Sequence, residues 1–130
     1  MFGANESFHL RKAEECYKAA GLALEAQCWE SAVSRAYYCA YHLLLEVMLR
    51  FGQPSPGRGW SHDSLQKRFI ESFCERGFQF NKRDGKVFID ALAARITADY
   101  HSDPINETRS RRTVSQVGEL RIKVKEVLNV

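Results

Sequence analysis

Apolar side chains recur every three or four positions over most of this chain, the period of one helical face, and no stretch alternates strictly enough to make a strand. Five helices are expected. The first runs from about Glu6, capped by Asn5, to about Glu25, with Leu10, Ala13, Tyr17, Ala20 and Leu24 on one stripe. The second runs from about Trp29 to Arg50 and ends in the apolar group Leu43, Leu44, Leu45, Val47 and Met48. Residues 52–59, rich in glycine and proline, break the pattern. Ser61 or Asp63 then caps a third helix with Leu65, Phe69 and Phe73 inward and Gly77 as its stop.

Residues 78–85 read as a second loop whose Phe78 and Phe80 tuck back onto the core. A fourth helix, about Lys86 to Tyr100, offers Ile89, Leu92, Ala93, Ile96 and Tyr100 as its apolar stripe, with Phe88, Ala91, Arg95 and Asp99 on the neighbouring face. Asp103-Pro104 closes it. A fifth, about Glu107 to Leu128, buries Thr113, Val117, Leu120, Val124 and Val127 and turns Arg109, Arg111, Arg112, Lys123 and Lys125 outward. Long helices with short connections imply an all-α, antiparallel up-and-down bundle of four to five helices.

The 130 residues suit one domain, 1–130, large enough to bury roughly two thirds of its unfolded surface. The pattern of 45% hydrophobic and 27% charged residues is that of a soluble globular protein. Neither a membrane-length apolar run nor a signal-peptide pattern is present, so a cytoplasmic location without membrane association is expected. Cys16, Cys28, Cys39 and Cys74 are too dispersed for a metal knuckle and are expected as reduced, buried thiols. Neither a metal nor another cofactor is called for. The net charge of +3 is compatible with nucleic acid without demanding it.

The second helix carries the densest chemistry. Ala32, Ala36 and Ala40 make a seam of small residues, while Arg35, Tyr38, Cys39 and His42 fall on one face. Further polar groups within the pattern are His62, Arg95, Asp99, Tyr100 and His101. One account is structural: Arg35 or Arg95 pairs with Asp99 to set helix register, His62 is a first-turn residue, and His101 complements a helix C-terminus. A lone tetratricopeptide-like helix pair, suggested by Trp29, Ala32 and Tyr37, lacks any repeat.

Taken together, Arg35-Ala-Tyr-Tyr38 with His42, then Ser61-His62, then Arg95 with Ala98-Asp99-Tyr100, resemble the HEPN family (higher eukaryotes and prokaryotes nucleotide-binding domains), in its small single-domain prokaryotic branch, over about residues 8–128. The resemblance implies a helical bundle that commonly forms a homodimer. Many relatives are metal-independent ribonucleases, often toxins, marked by an arginine shortly followed by a histidine. Others bind nucleotides or RNA, or accompany a nucleotidyltransferase-type partner protein.

Both Arg35 with His42 and Arg95 with His101 echo that spacing, although Ala36 and Ile96 stand where a polar residue usually follows the arginine. On an unbroken helix Arg95 and His101 lie about 240° apart, whereas Arg35 and His42 share a face. Arg35 and His42 are therefore the candidate catalytic pair: Arg35 for phosphoryl charge and His42 as proton acceptor or donor. Tyr38, His62, Arg95, Asp99, Tyr100 and His101 are candidate substrate contacts. The Arg35-Tyr38-His42 face is expected to meet the Arg95-Asp99-Tyr100 block of the fourth helix. The alternative is a non-catalytic helical interaction module in which the same groups only hold the bundle together.

Overall fold

A computed structural model describes residues 7–130 apart from 54, 58 and 76–78. The helices are α1 (Phe8–Glu25), α2 (Trp29–Arg50), α3 (His62–Phe69), α4 (Lys82–Tyr100) and α5 (Glu107–Leu128), and a π-helical turn, Ile70–Cys74, extends α3. The described residues are all-helical, in keeping with the expected bundle. None of these helices is long and apolar enough to cross a membrane.

α2 is the central rod and packs against all four other helices. Its alanine seam makes this possible: Ala32, Ala36 and Ala40 are fully buried and let neighbouring backbones approach, while Tyr37, Leu43, Leu44 and Val47 fill the space beside them. Each of those large side chains contributes about 1.5–3 kcal/mol by leaving water. α1 folds back antiparallel on α2, bringing Ser7 to Glu46, His9 to His42 and Cys16 to Arg35. On the opposite flank α4 also runs antiparallel, with Ser34 against Asp99 and Tyr38 against Arg95. α5 closes the bundle through Glu14–Arg121 to α1 and Asp84–Lys123 to α4.

The turn between α1 and α2, which lacks glycine and proline, is a Schellman motif in which Gln27 takes the left-handed conformation at φ 60°. The Cys28 N–H reaches back to the Ala23 carbonyl and the Gln27 N–H to that of Leu24. The α1 cap is Ser7, whose hydroxyl accepts from the Leu10 N–H; the expected cap Asn5 and Glu6 lie outside the described residues, as do Gly77 and Phe78. Ser61, not Asp63, caps α3. Phe80 is buried as expected.

Two expectations fail at α4. It begins at Lys82, four residues earlier than periodicity indicates, because Asn81 and Asp84 form a reciprocal capping box. Gly85 lies inside this helix, where a Cβ would stand 2.9 Å from Ile70 Cγ1, so glycine serves close packing rather than a loop. The inward stripe is Val87, Phe88, Ala91 and Ala94. Ile89, Ala93, Ile96 and Tyr100 face outward, with Tyr100 71% exposed. Both stripes are comparably apolar, and small residues on the inner one allow the closer approach to α2. On α5, Leu128 is buried and Val127 only partly so. Of the cysteines, Cys39 and Cys74 are buried and Cys16 half-buried, but Cys28 is exposed at the α1–α2 turn; all four are free thiols.

Candidate functional site

The sequence-predicted residues separate into two neighbouring groups joined by Tyr38. The first lies between α2 and α4. Arg95 Nη2 donates to the Tyr38 hydroxyl at 3.0 Å, and Nε lies 2.9 Å from Asp99 Oδ2, though not aligned as a hydrogen bond. Asp99 also accepts from the Ser34 hydroxyl at 2.8 Å. The Arg95 guanidinium stands 5.4–5.8 Å from the ring centres of Tyr37, Tyr38 and Tyr100. The Tyr37 hydroxyl hydrogen-bonds His62 Nδ1, and burial raises its pKa, so it remains the proton donor. Burial, with Arg95 nearby, lowers the His62 pKa, which favours a neutral ring accepting that proton at Nδ1. Arg95 rather than Arg35 therefore makes the pair with Asp99.

His101 lies just beyond this group. α4 ends at Tyr100, and His101 caps it in extended backbone, exposed, with its N–H bonded to the Thr97 carbonyl. Arg95 lies among the tyrosines.

The second group forms a surface groove of about 430 Å³ between α1 and α2. Phe8, Lys12, Glu15, Cys16 and Ala19 line one side, and Arg35, Tyr38 and His42 the other. Arg35 is exposed and makes no ion pair among the described residues; it hydrogen-bonds the Cys16 thiol. His42 Nδ1 stands 3.1 Å from His9 Nδ1, and the two rings meet edge to edge, their centres 5.4 Å apart and their planes 29° from parallel. Burial first, then His9 and Lys12, pull the His42 pKa down to about 4, so its ring is neutral at physiological pH. His9 is lowered by burial too, against the pull of the Glu46 carboxylate.

The expected meeting of the whole Arg35-Tyr38-His42 face with the Arg95 block is thus corrected: only Tyr38 makes it. Tyr38 sits about 60° around α2 from Arg35, toward α4, while Arg35 and His42 turn toward α1. Sequence reasoning missed Ser34, Tyr37 and Tyr41, whose ring centre lies 5.2 Å from that of His62, in the first group and Phe8, His9 and Lys12 in the second. A signal for the latter was available: a hairpin folded about residue 26 sets residue 9 opposite 42 and residue 16 opposite 35.

Three of the five residues of the basic strip of α5 are paired within the chain. Lys123 pairs with Asp84, Lys125 with Glu14, and Arg111 with Glu107. Among the described residues, no three His, Cys, Asp or Glu side chains gather as a metal site.

A family model described as HEPN domain matches residues 7–130, nearly the whole chain. No curated protein matches it closely.

Proposed function

Because this chain belongs to the HEPN domain family, whose membership supports a nucleotide- or RNA-related role, we propose that the α1–α2 groove is where it holds the phosphate of a nucleotide or RNA strand. The observation that carries this is Arg35: an exposed cation with no ion pair among the described residues, on the same wall as Tyr38 and His42. A guanidinium so placed offers a planar, permanently charged fork to a phosphate, and the rings of Phe8 and Tyr38 offer faces on which a base can stack. Lys12 supplies a second cation from α1.

Metal-independent ribonuclease chemistry of a toxin-like kind belongs to the same groove in this reading. Neutral His42 takes the 2′-hydroxyl proton, the 2′-oxygen displaces the 5′-oxygen from phosphorus to leave a 2′,3′-cyclic phosphate, and the proton returns to the departing 5′-oxygen. Arg35 stabilises the charge that grows on the phosphoryl oxygens. The Arg95, Tyr38, Asp99 and Ser34 group, closed on itself, braces α2 against α4 and holds Tyr38 in place. We extend the proposal to a homodimer, supported by the outward stripe Ile89, Ala93, Ile96 and Tyr100, and to a nucleotidyltransferase-type partner protein, supported by the family resemblance alone.

The test is binding and cleavage of single-stranded RNA without added metal by wild type, Arg35→Gln and His42→Asn. Arg35→Gln is expected to weaken binding about tenfold, the loss of one charge-assisted contact, while leaving thermal stability unchanged. His42→Asn is expected to remove cleavage. Full binding by Arg35→Gln defeats the phosphate site. Undiminished cleavage by His42→Asn removes His42 from the chemistry. A monomeric mass at micromolar concentration defeats the homodimer.

A further inference from the structure

The groove has a feature that phosphate binding by Arg35 does not require. Two histidines from different helices meet there ring to ring, with their Nδ1 atoms 3.1 Å apart. Two nitrogens at that distance share one proton: one ring is the Nδ1–H tautomer and donates, and the other accepts with its lone pair. The donor ring then has a bare Nε2. A proton added at that Nε2 converts the donor to an imidazolium and leaves the bond between the rings intact, now charge-assisted. A second proton has only the accepting Nδ1 to occupy, and it would break the bond and set two cations against each other. The pair is therefore built to take up one proton and to resist two.

The surrounding charges decide when that proton arrives. From α1, His42 faces His9, Lys12 and the ring of Phe8; within α2 it faces Tyr41, with Tyr38 and Arg35 farther along the groove. Glu15 and Cys16 line the groove from α1, and the buried Glu46 carboxylate acts on His9. With the groove empty, Lys12 and burial hold the His42 ring neutral. A phosphate at Lys12 and Arg35 reverses that balance, since it offsets the cations and places negative charge beside the pair.

We propose that His9 and His42 make the groove a proton-linked phosphate site: a phosphodiester anion binding at Arg35 and Lys12 draws one proton onto the histidine pair. This inference rests on the groove being the ligand site. His9 is then a positioning residue that does not contact the anion: it accepts from Nδ1–H of His42, so that the bare Nε2 of His42 is the base when the pair is neutral and the site of the added proton as the pH falls. Because at most one proton is taken up, affinity rises as pH falls, by no more than about tenfold per pH unit.

The experiment is titration calorimetry of the full chain with a 2′-O-methyl RNA hexanucleotide, which is not cleaved at the 2′ position and whose diester phosphates do not titrate between about pH 5.5 and 7.5. Runs at about pH 6 in buffers of different ionisation enthalpy count the protons exchanged. The expected result is net uptake of up to one proton and binding about three- to tenfold tighter at pH 5.5 than at 7.5. In His42→Asn the uptake is expected to vanish. His9→Phe, which keeps a ring against His42, is expected to shift the pH dependence while retaining binding. Binding with no proton uptake and no pH dependence overturns the linkage and leaves the phosphate site standing. No binding by wild type at either pH overturns both. In the free protein, ¹⁵N shifts of the two rings are expected to titrate as one coupled unit. Independent titrations near 6.5 overturn the pair itself.

Discussion

Ser7→Ala removes a single hydroxyl that does two jobs at the start of α1. Its oxygen accepts from the Leu10 N–H at 3.1 Å as the helix N-cap, and its proton goes to Glu46 Oε1 at 2.5 Å. The Glu46 side chain is fully buried, and its other oxygen accepts from Arg50 Nε at 2.7 Å. Loss of the cap costs about 1 kcal/mol. Loss of a donor to a buried carboxylate costs about 1.5–3 kcal/mol, because water does not replace it there. Together the change comes to about 3 kcal/mol, or a fall in Tm of about 10 °C for a chain of this size. Urea unfolding measures it directly, and hydrogen exchange of the first α1 turn shows whether the loss is local. Ser7→Asp separates the two jobs. Aspartate caps a helix as well as serine does, but here it sets a second carboxylate against Glu46. It is expected to be less stable than Ser7→Ala. An aspartate variant as stable as wild type would falsify the Glu46 contact and leave Ser7 as a cap alone.

Gly118→Ala places a Cβ 2.5 Å from Tyr17 Oη and 3.2 Å from Cζ, forcing the ring off the Arg121 guanidinium it meets at 4.9 Å. The expected loss is about 1 kcal/mol after the better helix propensity of alanine is set against the clash, and Tyr17→Phe in the same chain should recover most of it; no recovery in the double variant would place the strain elsewhere. Tyr38→Phe loses the 3.0 Å bond from Arg95 Nη2 and should cost about 1.5–2 kcal/mol by urea unfolding, with the helix content unchanged. Stability should be level from about pH 6.5 to 8 and fall toward pH 4: between 6.5 and 4 the unfolded His42 binds a proton that the folded ring, with its pKa near 4, does not, so acid favours unfolding. His42→Asn should make that slope shallower, and an unchanged slope would show that the acid sensitivity arises at other groups.

Much of the bundle was legible because burial writes itself into periodicity. The stripes of α1 and α2, the cap of α3 and the core of α5 can be read from residue spacing alone. α4 shows where that reading stops. Two apolar stripes lie side by side on that helix, and hydrophobicity does not choose between Ile96 outside and Ala94 inside. The choice is made by how closely α4 can approach the alanine seam of α2, a property of the pair of helices. Gly85 misleads for the same reason: as a residue it signals a loop, whereas in the fold it makes room for Ile70. Gln27 is the converse, a left-handed turn carried by a residue that gives no sign of it.

The candidate site failed to read out cleanly for a related reason. Helical spacing groups Arg35, Tyr38 and His42 on one face, but a face of α2 has two neighbours, and about 60° of rotation decides which neighbour each side chain meets. Tyr38 goes to Arg95 on α4, while Arg35 and His42 go to α1. The first group is turned inward: carboxylate, hydroxyls and guanidinium answer one another, with only Arg95 Nε lacking an aligned acceptor, and such closure fixes register more than it adds net stability. The second is left open, with an arginine that makes no ion pair among the described residues and a histidine whose partner is another histidine. Polar groups closed on each other hold a fold, whereas a cation left facing a groove is what the proposed phosphate site rests on. That difference, invisible in one-dimensional spacing, separates the brace from the proposed binding surface within the single eight-residue segment of α2 from Arg35 to His42.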